Sequence, residues 1–189
     1  ETEILVEEVL KAFPAKTEDP HILDIGTGSG NIAIALAKDL PHATITAVEK
    51  SEAALKVAKG NACTHHVERK IHFILGDILK GPLFKDAPQF DVIVSNPPYI
   101  PSGDIQRLPD DVRREPRGAL DGGWDGLDYY RMIINGFSGF LRDGGVMFLE
   151  IGDGQQESLI RIFQESSKYV RIHFINDYVG TPRIARITK

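Results

Sequence analysis

Cysteine, tryptophan and long apolar runs are scarce in this chain. Its 189 residues include one tryptophan and one cysteine, Cys63. A single cysteine excludes an internal disulfide bond and indicates a reducing compartment. No apolar run approaches the roughly 18 to 20 residues that a membrane-spanning helix needs. The sequence therefore predicts no association with a membrane.

The chain also lacks an excess of basic residues. It carries 22 Lys and Arg against 27 Asp and Glu, a net charge of −5 at pH 7, whereas nucleic-acid-binding proteins usually present a basic surface. The composition therefore disfavours a nucleic-acid partner. With 42% hydrophobic residues, the chain is too apolar to be disordered and suits one globular domain. Its few Cys and His residues form no metal-ligand pattern, so we expect no metal site.

Hydrophobic periodicity alternates between strands and helices along the chain. We predict helices at 3–13, 31–40, 51–63, 126–141 and 154–166, with strands at 21–25, 43–48, 71–75, 90–94, 146–151, 169–175 and 183–187. Such alternation is typical of a parallel sheet covered on both faces. The predicted fold class is therefore a single α/β domain, doubly wound. Loops are expected at 14–20 and 95–124, and the long connection at 100–124 is typical of a lid or binding loop.

A glycine-rich turn, Asp24-Ile25-Gly26-Thr27-Gly28-Ser29-Gly30, follows the first predicted strand and opens a helix. Glycine tolerates positive φ and lets the backbone approach a ligand closely. Glu49 ends the second strand about 20 residues further on, where a carboxylate can accept hydrogen bonds from ribose hydroxyls. The pattern predicts nucleoside binding, although its G-x-G-x-G spacing disfavours a dinucleotide. Asp77 follows the third strand and either faces an adenine edge or lies in a surface turn.

The segment Ser95-Asn96-Pro97-Pro98-Tyr99 follows the fourth predicted strand. Two prolines fix φ and lack N–H groups, which leaves stiff backbone carbonyls as acceptors. The side-chain carbonyl of Asn96 and the backbone carbonyl of Pro97 can converge on the two hydrogens of a planar NH₂ group. Tyr99 offers an aromatic face to a flat substrate or a cation. The segment therefore predicts a site that holds a planar amine or amide.

These two motifs together resemble the S-adenosylmethionine-dependent amino-methyltransferases of the class I, Rossmann-like type. More narrowly, the chain resembles the release factor glutamine methyltransferase family, which methylates the side-chain nitrogen of the glutamine in the Gly-Gly-Gln motif of peptide-chain release factors. The narrower resemblance also rests on Glu1–Glu3, Glu115–Gly123, Asp125–Leu127, Tyr130-Arg131, Leu149–Gly152, Gln155 and the group Asp177, Tyr178, Gly180 and Arg183. Glu49 stands where that family commonly has Asp, which preserves the carboxylate.

The resemblance implies a mostly parallel, seven-stranded sheet, S-adenosylmethionine as cofactor and a class 1 release factor as substrate. It also implies roles for particular residues. Asn96, Pro97 and Tyr99 would be catalytic, and these three with Pro98 would bind the substrate. The cofactor would be held by Asp24, Gly26, Thr27, Gly28, Ser29, Gly30, Glu49, Asp77, Ile78 and Asn96.

The family also sets expectations about the molecule as a whole. Its members usually carry a small helical domain before the segment that corresponds to Glu1–Glu3, so we expect residues 1–189 to be the methyltransferase domain of a longer protein. We expect a monomer that acts on a protein rather than on nucleic acid, in a bacterial cytoplasm or, alternatively, a mitochondrial matrix.

Other functions remain open at this point. An N-methyltransferase acting on an exocyclic amine of adenine or guanine in DNA or RNA shares the Asn96–Tyr99 motif, and would flip its target base into the same pocket. A non-catalytic nucleotide-binding scaffold would not need that motif, and the glycine spacing disfavours a dehydrogenase. In the long loop, Trp124 is expected to pack under the lid rather than touch the substrate. Arg107, Arg113, Arg114 and Arg117 are expected to pair with neighbouring acids rather than meet an RNA-like or acidic partner.

Overall fold

The computed structural model describes residues 2–13, 19–80, 83–84 and 89–189. Residues 14–18 of the loop predicted at 14–20 lie outside this described part of the chain, as does Glu1.

The chain alternates helices and strands as the sequence predicts. The helices are α1 (Thr2–Lys11), α2 (Asn31–Asp39), α3 (Glu52–Thr64), α4 (Arg117–Leu120), α5 (Asp128–Gly136) and α6 (Gln156–Ser166). The strands are β1 (His21–Ile25), β2 (Thr44–Glu49), β3 (Ile71–Leu75), β4 (Phe90–Ser95), β5 (Leu141–Glu150), β6 (Arg171–Asn176) and β7 (Pro182–Thr188). Short 3₁₀ turns occupy Ile78–Lys80, Ile105–Arg107, Val112–Arg114 and Ser138–Phe140.

One seven-stranded sheet organises these elements, in the order β3-β2-β1-β4-β5-β7-β6. The pairs from β3 through β5 are parallel, and β7 runs antiparallel to both β5 and β6. The strand order reverses between β1 and β4, and ligands of open α/β sheets bind at the carboxyl ends of the strands beside such a reversal. The predicted fold, a mostly parallel and doubly wound seven-stranded sheet, is confirmed.

Two apolar cores cover the two faces of the sheet. On one face Leu5 of α1 and Leu36 of α2 pack against alternate residues of the strands, such as Ile45. On the other face Ile133 of α5 and Leu159 of α6 pack against the intervening residues. Because both faces are buried, the central strands are almost continuously apolar, which explains why they were recognisable in the sequence.

The helices beside the carboxyl edge begin where the local sequence dictates. Helix α2 starts after Gly30, whose φ is 89°, and ends at Asp39 just before Pro41. Helix α3 starts after Ser51, whose hydroxyl accepts a hydrogen bond from Ala54 N at 3.3 Å. Both starts therefore point backbone N–H groups towards the same edge of the sheet.

The predicted boundaries after residue 95 need correction. The helix predicted at 126–141 is only α5, since Gly136 and Gly139 weaken helical propensity there, and β5 begins at Leu141 rather than at 146. Leu141 pairs with Phe90, and an irregular register at Phe90/Val92 accommodates the intervening residues of β5. The stretch predicted as irregular at 95–124 contains α4 and two 3₁₀ turns. An apolar residue that continues a helical period can equally begin a strand.

Candidate active site

A cleft opens at the carboxyl edge of the sheet, where the strand order reverses. It is lined by predicted site residues from four successive strand ends: Gly26, Gly28, Glu49, Asp77, Ile78, Asn96, Pro97 and Pro98. The predicted site residues Asp24, Thr27, Ser29, Gly30 and Tyr99 are not among those that line it. They belong to the same two segments and support the cleft from outside.

The glycine-rich turn after β1 presents bare backbone to the cleft. The φ angles of Gly26 and Gly28 are 74° and 57°, and a Cβ added at either position would meet no atom within 4 Å. At Gly30, with φ 89°, a Cβ would instead lie 3.1 Å from the Cδ1 atom of Ile34. The first two glycines therefore leave space for a ligand, whereas Gly30 permits the turn and the close packing of α2.

The carboxylate of Glu49 is held in place by two backbone N–H groups. Gly28 N donates to Oε2 at 2.9 Å, and Ser51 N donates to Oε1 at 2.8 Å. The residue is 8% exposed and lines the cleft. A carboxylate offers about four acceptor positions, so Glu49 keeps free lone pairs with which to bind two neighbouring hydroxyl groups.

Asp24 lies beneath the glycine turn and is completely buried. Burial raises the pKa of Asp24 to about 7, although hydrogen bonds from the Thr27 hydroxyl and the Ala33 N–H oppose the shift. Thr27 Oγ1 donates to Oδ2 of Asp24 at 2.6 Å, whereas Oδ1 has no hydrogen-bond partner among the described residues. Asp24 thus fixes Thr27 and holds a buried acidic group under the turn.

The third strand contributes an apolar wall with a polar edge. Ile78 is 4% exposed and lines the cleft beside Asp77. Oδ1 of Asp77 accepts a hydrogen bond from Leu79 N at 3.1 Å, and Gly76 N donates to the carbonyl of Glu49 at 2.9 Å. An apolar side chain next to a carboxylate suits a flat base that carries an exocyclic amine.

The segment after β4 enters the cleft from the opposite side of β1. Ser95 is buried, and its hydroxyl donates to the carbonyl of Ile25 at 2.6 Å, which joins the two strand ends. Asn96 follows, and its Nδ2 donates to Oγ1 of Thr2 at 3.2 Å. Pro97 is buried and lines the cleft. Asn96 and Pro97 therefore stand at the cleft wall on a rigid support.

Tyr99 is held outside the cleft wall by the chain after β5. Gln155 accepts a hydrogen bond from Gly152 N at 2.9 Å through Oε1, and its Nε2 donates to the carbonyl of Tyr99 at 3.0 Å. A Cβ at Gly152 would lie 2.9 Å from a ring carbon of Tyr99, and one at Gly126 would lie 2.4 Å from the Tyr99 carbonyl oxygen. Close backbone packing thus fixes the proline segment from behind.

Sequence reasoning missed the residues that close the cleft from above. The long loop contributes Pro116, Gly118 and Ala119, which lie around α4. Lys50 and Tyr129 also line the cleft, and Lys50 Nζ donates to the Tyr129 hydroxyl and lies 5.0 Å from the centre of its ring. These residues come from distant parts of the chain, and no local pattern connects Lys50 with Tyr129.

The long loop is tied back on itself. Ile100 N donates to Leu120 O at 3.0 Å, Ser102 N donates to Gly123 O at 2.8 Å, and the Ser102 hydroxyl holds the pKa of Asp121 below its usual value. Three of its arginines pair with neighbouring acids, as predicted: Arg107 with Asp104, Arg113 with Asp110 and Arg117 with Asp121. The prediction that Trp124 packs under the lid is wrong, because the residue is 88% exposed.

The lining suits the S-adenosylmethionine that the sequence resemblance implies. Two glycines leave room for a ligand against bare backbone, Glu49 has acceptors for a ribose, and Ile78 offers an apolar face. Of the residues that line the cleft, one is basic, Lys50, and two are acidic, Glu49 and Asp77. That balance fits a cationic sulfonium better than a pyrophosphate. Within the described ranges, no group of three or more His, Cys, Asp or Glu residues is arranged to hold a metal ion.

Comparisons of the sequence identify relatives across nearly the whole chain. Residues 2–108 match the family model described as the methyltransferase small domain. The chain is 44% identical over 169 residues to a protein of Geobacter sulfurreducens, covering 88% of this chain and 56% of that protein. It is 42% identical over 187 residues to a protein of Gloeobacter violaceus, covering 97% of this chain and 63% of that protein. Both relatives are named release factor glutamine methyltransferase. The chain spans about three fifths of the length of these relatives.

Comparison of the fold agrees with the comparison of the sequence. A solved structure from Alicyclobacillus acidocaldarius, titled protein-(glutamine-N5) methyltransferase (release factor-specific), is 27% identical with a TM-score of 0.59, covering 100% of this chain and 91% of that one. Among the described residues, no helix is long and apolar enough to cross a membrane.

Proposed function

Since the chain belongs to the release factor glutamine methyltransferase family, we propose that it methylates a class 1 peptide-chain release factor. The methyl group would pass from S-adenosylmethionine to the side-chain amide nitrogen of the glutamine in the Gly-Gly-Gln motif, a modification that modulates translation termination. A protein substrate is also in keeping with the acidic composition of the chain, which has a net charge of −5.

One observation carries this proposal. Asn96 and Pro97 line the same cleft as Gly26, Gly28 and Glu49. The residues proposed to accept hydrogen bonds from the substrate amide and those proposed to hold the nucleoside therefore line one cleft. A methyl transfer needs the donor and the acceptor held together in this way.

Residues of the glycine turn and the next two strand ends would hold the cofactor. In the proposed arrangement Glu49 binds the ribose hydroxyls, Ile78 packs on the adenine and Asp77 faces its amine, while the turn around Gly28 approaches the amino-acid part. Asp24, Thr27, Ser29 and Gly30 give that turn its shape. When bound, S-adenosylmethionine supplies an electrophilic methyl group on a sulfonium sulfur.

The residues after β4 would make a poor nucleophile reactive by positioning it. An amide lone pair is delocalised into its carbonyl group, so the nitrogen attacks weakly. Hydrogen bonds from its two N–H groups to the Asn96 side-chain carbonyl and the Pro97 backbone carbonyl draw electron density towards nitrogen and aim it at the methyl group. Pro98 would line the substrate pocket, and Tyr99 would support the proline segment from behind.

The proton balance of the transfer requires no dedicated base. As the new nitrogen–carbon bond forms, the carbon–sulfur bond breaks and the nitrogen becomes cationic. An N-alkylated amide cation is a strong acid, so it loses its proton to water. The chain therefore acts through orientation and hydrogen bonding rather than by proton abstraction.

The test is transfer of labelled methyl from S-adenosylmethionine to a purified release factor. A Gly-Gly-Ala version of the factor is the matched control, and DNA and ribosomal RNA serve as parallel acceptors. We expect label on the Gly-Gly-Gln protein and none on the other three. The Asn96→Ala variant should lower the rate by about 100-fold or more while leaving cofactor affinity within a few-fold, because one acceptor for the reacting amide is lost.

Label on nucleic acid alone would contradict the proposal and favour methylation of a base amine. Equal label on the Gly-Gly-Gln and Gly-Gly-Ala proteins would move the target to another residue of the release factor. Full activity of Asn96→Ala would contradict the role given to the proline segment.

A further inference from the structure

Thr2 and Glu150 form a hydrogen-bonded chain with Asn96 that the sequence motifs do not reveal. Asn96 Nδ2 donates to Thr2 Oγ1 at 3.2 Å, and Thr2 Oγ1 donates to Glu150 Oε2 at 3.0 Å. Thr2, at the start of α1, lies 94 positions along the chain from Asn96, which directly follows β4, and 148 positions from Glu150, which ends β5. No element of local structure requires them to meet.

We propose that Thr2 and Glu150 are positioning residues that fix which end of the Asn96 amide faces the cleft. The proposal rests on the proposed function, in which the carbonyl end of Asn96 must accept a hydrogen bond from the substrate amide. An Asn side chain rotated by half a turn would offer NH₂ hydrogens instead, which repel those of the substrate. The oxygen and NH₂ ends of the amide are nearly equal in size, so packing alone does not select an orientation. Hydrogen bonds must therefore hold the amide with its oxygen towards the cleft.

The direction of the hydrogen bonds follows from the chemistry of the three groups. A carboxylate only accepts hydrogen bonds, and a hydroxyl has a single proton to donate. Thr2 donates that proton to Glu150, so its oxygen can only accept a hydrogen bond from Asn96. The NH₂ end of Asn96 must therefore face Thr2, and its carbonyl Oδ1 is left for the cleft.

The Glu150 end of this series of hydrogen bonds is buried and is held at its backbone. Glu150 is 4% exposed, and its backbone carbonyl accepts a hydrogen bond from the buried Tyr130 hydroxyl at 2.9 Å. A buried and fixed carboxylate strengthens the hydrogen bonds that it accepts. The preference for one orientation of Asn96 is thereby transmitted from the sheet to the cleft through a single hydroxyl group.

Replacing the hydroxyl of Thr2 tests the proposal directly. Thr2→Val keeps the shape but removes the hydroxyl, and Thr2→Ser keeps the hydroxyl. We expect kcat for the release factor to fall about 10- to 100-fold in Thr2→Val, with the KM for S-adenosylmethionine within twofold, and to recover in Thr2→Ser. Thr64→Val is the matched control, because within the described part of the chain the Thr64 hydroxyl bonds only the carbonyl of Gly60, at 3.0 Å, at the end of α3.

A double substitution separates positioning from a general structural effect. If Thr2 acts through Asn96, then Thr2→Val should cost no further activity in an Asn96→Ala background. An equal loss in both backgrounds would overturn the proposal, as would wild-type kcat in Thr2→Val.

A second measurement does not depend on activity. In the free protein, the side-chain NH₂ signals of Asn96 in a nitrogen-15 NMR spectrum should shift and exchange faster with water in Thr2→Val, but not in Thr64→Val. If the wild-type protein methylated no release factor and these signals still responded, the positioning role of Thr2 and Glu150 would stand and the proposed function would fail. Unchanged Asn96 signals in Thr2→Val would overturn the positioning role of Thr2 and Glu150.

Discussion

Gly28 and Gly30 share a left-handed backbone but differ in what surrounds them. At Gly28 an added Cβ would meet nothing within 4 Å, and the residue lines the cleft. At Gly30 the same atom would approach Ile34 Cδ1 at 3.1 Å and Ala58 Cβ at 3.2 Å. Two residues that look equivalent in the motif therefore differ in their surroundings: Gly28 borders the open cleft and Gly30 packs against α2 and α3.

The pair Gly28→Ala and Gly30→Ala should separate binding from stability. Both substitutions place a Cβ at positive φ, which costs about 1–2 kcal/mol, and Gly30→Ala adds overpacking of about 1–3 kcal/mol. Gly30→Ala should therefore be the less stable in urea unfolding. Gly28→Ala should bind S-adenosylhomocysteine the more weakly in calorimetry, by about tenfold or more, because its methyl group enters the cleft. The reverse order in either measurement would contradict these roles.

Asp24 should make stability depend on pH. Burial raises its pKa from 3.8 to about 7, so between these values the folded state holds a proton that the unfolded state has lost. The free energy of unfolding that Asp24 contributes is therefore fully present below about pH 4 and falls as pH rises towards 7, by at most about 1.4 kcal/mol per pH unit.

The Asp24→Asn variant removes this contribution but keeps an acceptor for Thr27. Its free energy of unfolding, relative to that of the wild type, should rise between pH 4 and 7 and then level off. Urea unfolding at a series of pH values measures this difference. A difference that stays constant over the whole range would show that Asp24 does not titrate there.

Gln155 connects three segments that the fold brings together. Its side chain accepts from Gly152 N and donates to the carbonyl of Tyr99, and it donates more weakly to the carbonyl of Gly126 at 3.4 Å. The end of β5, the proline segment and the turn before α5 are joined by this one amide. The proline segment that lines the cleft is thus held by Gln155, a residue that does not line the cleft.

Replacing Gln155 by Leu should loosen the proline segment. The Gly152 N–H and the Tyr99 carbonyl would lose their partner, which costs about 1–3 kcal/mol for a part-buried group. We expect lower stability in urea unfolding and a lower kcat for the release factor, with cofactor affinity unchanged. Gln156→Leu is the control, because the described structure gives Gln156 no side-chain hydrogen bond. Equal effects of the two variants would refute the special role of Gln155.

At the scale of the whole molecule, the sole tryptophan lies on the surface rather than in a core. Trp124 follows Gly123, whose φ is 92° and whose carbonyl accepts from Ser102 N, so the turn directs the ring outwards while the loop stays anchored. The two cores on the faces of the sheet are complete without it.

Trp124→Ala should therefore change the free energy of unfolding by no more than about 0.5 kcal/mol. The intrinsic fluorescence of the folded wild type should resemble that of a solvated indole and change little in position on unfolding. A loss of stability above about 1 kcal/mol, or a strongly blue-shifted emission, would indicate that the ring packs against the protein.

Much of the fold was predictable because buried parallel strands leave a plain signal. The strands at 21–25 and 71–75 coincide with β1 and β3, since each is a short apolar run between turns. The end of the helix predicted at 126–141 is wrong, because Leu141 continues a helical period yet pairs with Phe90 in the sheet. Local pattern cannot weigh such a long-range pairing against helical propensity.

The order of strands and helices along the chain, the glycine turn, the acid that ends β2 and the proline segment could be read from the sequence, because each is encoded by neighbouring residues. Tertiary structure alone decided that Lys50 meets Tyr129 and that Thr2 stands between Asn96 and Glu150. It also decided that Asp24 is buried under the turn instead of lining the cleft. These contacts join residues far apart in the chain, and only the packing of the sheet and its helices brings them together.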